Sequence, residues 1–282
     1  MQTGLHNMKK IPKKIRVTNI HQYQLQRGFT LVEIMVAITI GLVMMAGILQ
    51  VSQANKESNR LQRNLGFVQE NIRSAMGILG RDIRMAGHYI DNNPEDPIPG
   101  APGPIAPFVN VADIATINTA LAITADGGDS NNDQITLTYE LTLTITRDCL
   151  GQPINVIPPA TANLFAVNHY FIENQRLMCR GNGGPNAQPL VDNVESLQIL
   201  YGENTNNNPL SANRYVRAEQ VTDMANVVSV RIGMRFISRD PVRHVTDTAS
   251  YALLDAASVT PNDRFLRREI TTTISLRNSL RN

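Results

Sequence analysis

The sequence predicts an α+β protein in which a long N-terminal helix, half membrane anchor and half amphipathic, packs on an antiparallel β-sheet. Three observations carry this expectation. No proline interrupts the chain from Lys13 to Asn93, so nothing of that kind breaks a helix there. The apolar residues of this stretch recur at helical spacing, whereas those beyond about residue 134 alternate with polar ones. No strand–helix alternation appears, which disfavours a parallel sheet and leaves an antiparallel one. With 42% hydrophobic and 18% charged residues the chain is not a disordered polyelectrolyte. A single apolar run of spanning length excludes a multi-span membrane protein.

The charge is unevenly spread. Residues 1–28 hold Lys9, Lys10, Lys13, Lys14, Arg16 and Arg27 and no acid, a net of +6, which leaves 20 basic and 24 acidic residues beyond them, a net of −4. Basic charge followed at once by an apolar run is a targeting pattern that holds the charges on the cytoplasmic side. A basic arm for nucleic acid would not need the apolar run.

Phe29 to Leu49 reads FTLVEIMVAITIGLVMMAGIL, 21 residues with a single charge, Glu33. At about 1.5 Å per residue such a helix spans roughly 30 Å, the thickness of a bilayer core. A secretory signal is shorter and ends in a small-residue cleavage site, whereas here the small residue, Gly28, precedes the run, so the apolar segment is expected to be retained. A carboxylate in an apolar run costs on the order of 2–3 kcal/mol at mid-membrane and less near the end. Glu33 either snorkels to the headgroups or meets a cation; cleavage between Gly28 and Phe29 would create one, a new α-amine four residues away.

The run Arg27-Gly28-Phe29-Thr30-Leu31-Val32-Glu33 resembles the class III signal of type IV prepilins and type II secretion pseudopilins. The resemblance implies that a prepilin peptidase cuts after Gly28, that the new terminal Phe29 is N-methylated, and that Glu33 is the assembly carboxylate. The leader of 28 residues is longer than is usual for the family; a start at Met8 would shorten it to the same Arg27-Gly28 end.

Beyond the anchor, Leu61, Leu65, Val68, Ile72, Met76, Leu79 and Ile83 recur in steps of three and four, one apolar stripe of a helix packed on its own domain. Lys56, Glu57, Arg60, Arg63, Glu70, Arg73, Arg81 and Arg84 fall mostly off it. Gly41 and Gly47 are expected to allow bending or local melting when the segment leaves a bilayer, or close helix packing. Gln69-Glu70-Asn71-Ile72-Arg73 and Gly80-Arg81-Asp82-Ile83-Arg84-Met85-Ala86-Gly87 are similar to the helix end of the PilW group of minor pilins.

Six of the 15 prolines crowd into residues 94–107, which ends the helix in an extended connection. Strands are expected at Gln134–Thr146, whose apolar/threonine alternation predicts one buried face, and in a hairpin of Phe165–Ile172 with Arg176–Cys179. Val194–Tyr201, Val227–Ile237 and Ile270–Leu276 are further candidates. The closing Arg267-Arg268-Glu269-Ile270-Thr271-Thr272-Thr273-Ile274-Ser275-Leu276-Arg277-Asn278 resembles the last strand of the PilW group. The domains read as a leader (1–28), an anchor helix (29–52), its amphipathic continuation (53–90), a Pro-rich and polar connection (91–133) and an antiparallel β domain (134–282).

Cys149 and Cys179 follow the anchor, on the side a basic head leaves outside the cytoplasm, where a disulfide is the expected state. Closing their loop would stabilise by roughly 3–4 kcal/mol in the chain-entropy model. No histidine pattern accompanies them to suggest a metal or a reactive thiol. The run Asp126-Gly127-Gly128-Asp129-Ser130-Asn131-Asn132-Asp133 lacks the spacing of a calcium loop and reads as a solvated turn, and Glu203 to Asn208 reads as a loop. Arg231, Arg235 and Arg239 would share one strand face, a stripe for phosphates or a solvated sheet face. No hydrolase, zinc-protease or phosphate-loop motif occurs, and His169 in an apolar strand reads as a packed residue rather than a base. No catalysis, cofactor, metal or nucleic-acid partner is expected.

The resemblance implies a minor pilin of a Gram-negative type IV pilus, held in the inner membrane with its globular domain periplasmic and then built into the pilus near its tip. Its partners would be other minor pilins and the major pilin, prepilin peptidase, the inner-membrane assembly platform and a PilY-type tip adhesin, and its role would be to prime assembly and help display that adhesin. A type II secretion minor pseudopilin is the nearest alternative; a membrane-anchored periplasmic enzyme is a more distant one.

Overall fold

The computed structural model describes residues 28–88, 107–108, 125–128, 131–141, 147–154, 165–206 and 211–278. The leader up to Arg27, most of the connection at 91–133, the end of the long strand at Thr142–Thr146 and the tip of the 203–208 loop lie outside these residues. The chain divides into two compact units, Met1–Gln53 and Ala54–Asn282. One helix, α1 (Leu31–Met85), runs through 55 residues of both.

Within the second unit, α1 supplies Val68, Ala75, Leu79 and Ile83 to one core shared with the inner faces of two sheets. Its buried side also holds Asn64, Gly80 and Asp82, whereas Leu61, expected on the stripe, is 37% exposed. The packed face is thus rotated toward residues 64, 68, 75, 79 and 82. Asn64 belongs there because its amide donates to the Arg60 carbonyl while its carbonyl accepts the Asp240 backbone N–H at 3.1 Å, so a buried polar group is left satisfied on both sides.

The β region forms two four-stranded antiparallel sheets rather than one. The first is a meander of β1 (Ile135–Glu140), β2 (Phe165–Glu173), β3 (Arg176–Gly181) and β4 (Gln188–Asp192). The second has the order β6-β5-β7-β8, from β5 (Val194–Glu203), β6 (Arg214–Val216), β7 (Val227–Pro241) and β8 (Phe265–Ser275). β4 and β6 were not expected from the sequence, because five residues broken by Pro189 and three residues are too short for alternation to register. A single residue, Asn193, connects β4 to β5 with φ of 60°. That left-handed conformation, which asparagine tolerates, lets the chain switch sheets in one step.

β1 is buried along its whole length, not on one face as its alternation predicts. Thr136 finds a partner in His169 Nδ1 at 2.8 Å, so the polar face is enclosed without loss of hydrogen bonding. β7 is likewise buried over most of its length. Leu253 and Leu254 of the 242–264 segment lie so close over Gly233 that a methyl group there would be in contact with both.

The β2–β3 hairpin turns on Asn174 and Gln175 at φ of 50° and 57°, the two left-handed positions of a type I′ turn, where glycine is the favoured second residue. Gln175→Gly is therefore expected to raise stability by up to about 1 kcal/mol, read as a higher midpoint in chemical denaturation; a lower midpoint would mean that the Gln175 side chain contributes more than its backbone strain costs.

Candidate functional site

In the first unit Gly28, Phe29 and Thr30 precede α1 and are exposed. Thr30 is the cap: its Oγ1 accepts the Glu33 backbone N–H at 3.2 Å and its carbonyl accepts Ile34 N–H. Sequence reading passed over this role, although Thr-x-x-Glu ahead of an apolar run is the capping-box signature. Glu33 lies in the first turn, where a negative charge opposes the helix dipole favourably. Its carboxylate has no hydrogen bond or ion pair among the described residues. Among the described residues a methyl group at Gly28 would meet nothing within 4 Å.

From Phe29 to Val51 every large apolar side chain is exposed, between 49% and 78%. This is the one helix among the described residues long and apolar enough to cross a membrane. So many bare carbon groups are unstable in water, and a lipid phase or other apolar helices must surround them.

A second cluster lies where α1 ends. Asp82, 3% exposed, accepts Asn168 Nδ2 at 2.8 Å and the Tyr170 hydroxyl at 2.5 Å, and Arg81 approaches at 3.4 Å. Asn168 Nδ2 also donates to the Tyr139 hydroxyl, and its Oδ1 accepts the Cys149 N–H at 2.9 Å. Burial, with Asp82 adding to it, pushes the Tyr139 phenol up to about 12 and Tyr170 up as well, so both rings stay protonated donors or acceptors. After Met85 the chain leaves the helix through Gly87 at φ of 72°. Gly87 N–H reaches the Thr138 carbonyl and Glu140 N–H the His88 carbonyl. Asn278, from the far end of the chain, donates to the carbonyls of Arg84, Met85 and Ala86 at 3.2–3.3 Å, which the last helical turn leaves without intrahelical partners.

Cys149 and Cys179 are joined by a disulfide. Cys149 sits in a turn closed by Asp148 N–H to the Gln152 carbonyl, rather than at the end of the long strand, and Cys179 is buried on β3. Asp148 also accepts Gly183 N–H, and a methyl group at Gly181 would overlap its carboxyl group.

The other expected sites resolve into packing. The described residues of the 126–133 loop, 126–128 and 131–133, are docked rather than solvated: Asp133 accepts Gly127 and Ile199 N–H at 2.8 and 2.7 Å, and Asn132 accepts Leu197 N–H. Burial raises Asp133 to about 7. Among the described residues no three acid, His or Cys groups are arranged to hold a metal. Glu203 is buried at the end of β5, where it accepts Arg214 and the Thr222 N–H. Arg235 is 3% exposed and bonded to Glu269 and the Tyr251 carbonyl. Arg231 lies over the Tyr215 ring at 3.9 Å. Two of the three arginines of β7 are thus engaged within the protein, and Arg239 is exposed.

Residues 165–278 match the family described as type IV pilus-assembly protein W, and residues 24–49 match the prokaryotic N-terminal methylation motif. No curated protein matches the chain. Among solved structures, a type IV-like pilin from Thermus thermophilus is similar at 13% identity over 75% of this chain and 96% of its own, with a TM-score of 0.42. A chain of the GspK–GspI–GspJ complex of the type 2 secretion system from enterotoxigenic Escherichia coli is similar at 13% identity over 59% of this chain and 87% of its own, with a TM-score of 0.31.

His169 gives this region a pH signature. Burial, helped by Arg180, lowers its imidazole to about 4 from roughly 6.5 in an unfolded chain. The stability tied to the neutral ring is therefore full above pH ~6.5 and is lost as pH falls toward 4. Asp133, raised to about 7, has the opposite sign: its contribution is present near pH 4 and lost as pH rises to 7. His169→Gln is expected to flatten the acid-side loss between pH 6.5 and 4 in denaturation midpoints, and a profile parallel to that of the unsubstituted chain would remove the assignment.

Proposed function

We propose that this chain, a type IV pilin-like minor pilin of the PilW group, is stored in a membrane through α1 and then built into a pilus, with its leader removed between Gly28 and Phe29. The observation that carries the reading is an exposed apolar helix with one carboxylate, Glu33, that has no partner among the described residues and lies four residues after Phe29. Prepilin peptidase cuts after Gly28 and methylates the amine of Phe29. That a methyl group at Gly28 would meet nothing within 4 Å among the described residues supports placing the demand for a small residue there on the peptidase.

Before assembly, lipid covers the apolar helix. In the pilus the helices of other subunits replace the lipid, and Glu33 accepts the freed amine of a neighbour, which fixes the axial register. An isolated carboxylate in an apolar medium costs several kcal/mol, and pairing recovers much of it, so a misregistered subunit is penalised. The soluble half stays folded throughout on the disulfide and the Asp82 cluster. By family analogy the chain joins other minor pilins and the assembly platform to prime the pilus, lies at or near the tip, and helps present a PilY-type adhesin. The family whose model matches is one of pilus-assembly proteins rather than of enzymes.

The mass of the native protein tests processing and oxidation together: the expected value is that of residues 29–282 with one added methyl group and two hydrogens fewer for the disulfide. A mass that includes the leader would overturn the proposal. Glu33→Ala is expected to leave that mass shift intact while reducing the amount in sheared pili on the order of tenfold, the equivalent of about 1.4 kcal/mol; unchanged incorporation would remove the register role. Gly28→Leu is expected to leave a full-length precursor whose globular half unfolds at the same temperature as that of the unsubstituted protein.

A further inference from the structure

The two sheets have four lateral edges, and three of them are blunted. The outer edge of β1 is taken up by backbone bonds from Gly87, His88 and Pro107 and by a bridge from Phe108 to Leu137. β4 has five residues, one of them Pro189, and β6 has three. β8 differs. It has 11 residues without proline, among the described residues it pairs with β7 alone, and its run Ile270-Thr271-Thr272-Thr273-Ile274-Ser275 is uncharged and almost wholly β-branched. Folded proteins avoid leaving such an edge bare, because its free N–H and C=O groups template another strand.

The phase of the ladder shows which groups are free. Leu276 N–H donates to the Val228 carbonyl at 2.9 Å, and the register pairs Ser275 with Ser229 and Ile274 with Val230 without a shift up to Ile237. In an antiparallel pair, hydrogen-bonded and non-hydrogen-bonded positions alternate. Ile274, Thr272, Ile270 and Arg268 therefore point their backbone groups at β7, while Ser275, Thr273, Thr271 and Glu269 point theirs outward. All four outward residues are exposed.

The geometry points to the outer edge of β8 as a docking site for an extended segment of a different pilus subunit, added as a further antiparallel or parallel strand. The charges state its chemistry. Glu269 is engaged by Arg235, and Arg267 by Glu195 and Asp263, but Arg268 and Arg277, which flank the edge, have no ion pair among the described residues. The incoming strand carries acidic residues toward its ends. Its alternate inner residues are apolar, lying beside Ile270 and Ile274, which already pack on or within the core. A second copy is disfavoured, because centred antiparallel pairing of two β8 edges sets the Arg267–Arg268 end of one against Arg277 of the other, like charge near like.

The partner's being a pilus subunit rests on the function proposed above; the edge itself does not. Thr271→Pro removes an outward N–H and leaves the β7 ladder intact, as edge positions allow. In the full-length chain expressed with its native pilus machinery, it is expected to keep processing, membrane level and unfolding temperature while falling on the order of tenfold in sheared pili. Thr273→Lys, which keeps the backbone N–H and charges the edge, is expected to lower incorporation in the same direction and stands in if the proline variant does not fold. Hydrogen exchange of the purified mature chain in detergent is expected to show fast amides at residues 269, 271, 273 and 275 and slow ones at 268, 270, 272 and 274. Outward amides already protected in that preparation, or variants that enter pili at the unsubstituted level, would overturn the inference. Absence of the unsubstituted chain from pili would overturn the proposed function instead.

Discussion

A helix cannot end inside a protein without a partner for its last carbonyls, and the end of α1 meets that demand with residues drawn from across the chain. Asn278 covers the carbonyls of Arg84 to Ala86, and Gly87 turns the backbone onto the edge of β1. One turn earlier, the buried Asp82 carboxyl accepts Asn168 Nδ2 and the Tyr170 hydroxyl, with Arg81 at 3.4 Å. Leaving such a buried group without one of its hydrogen-bond donors costs about 1–3 kcal/mol, more than a surface ion pair contributes. The same Asn168 holds the Cys149 turn, so the helix end, the first sheet and the disulfide form one mechanical unit. Strand β8 enters it as well, because Asn278 lies three residues past its end.

This arrangement brings together the helix end and the closing strand, which stand nearly 200 positions apart in sequence. They touch. Arg84 and Asn278 are separated by 194 positions, yet the side-chain amide of one reaches the carbonyl of the other. A substitution in either segment disturbs the same set of hydrogen bonds.

The exposed apolar helix was legible in the sequence because its physics is local: length, apolarity and one charge need no knowledge of the rest of the fold. The same holds for β2, β3, β5, β7 and β8, whose alternation is long enough to register. The second sheet was not legible, since the switch between sheets depends on one residue, Asn193, and on strands of five and three residues. Nor was the burial of Asn64, Asp82, Asp133 and Glu203. A polar side chain is buried only when distant groups satisfy it, and a helical stripe counted from apolar residues alone is rotated away from Asn64 and Asp82 for that reason. The Thr30 cap was different, since its signature was present in the sequence and went unread.

On the proposed reading, the hydrophobic effect decides little in the assembly step. Lipid tails and packed helices are equally apolar, so moving Phe29 to Val51 from one to the other changes the burial of carbon hardly at all. What differs between the two states is the single carboxylate. In lipid, near the helix start, Glu33 reaches headgroup water; among other helices it has only what a neighbour supplies. On that reading the free energy that selects one register over the next concentrates on the contact between Glu33 and the amine that a neighbouring helix brings to it.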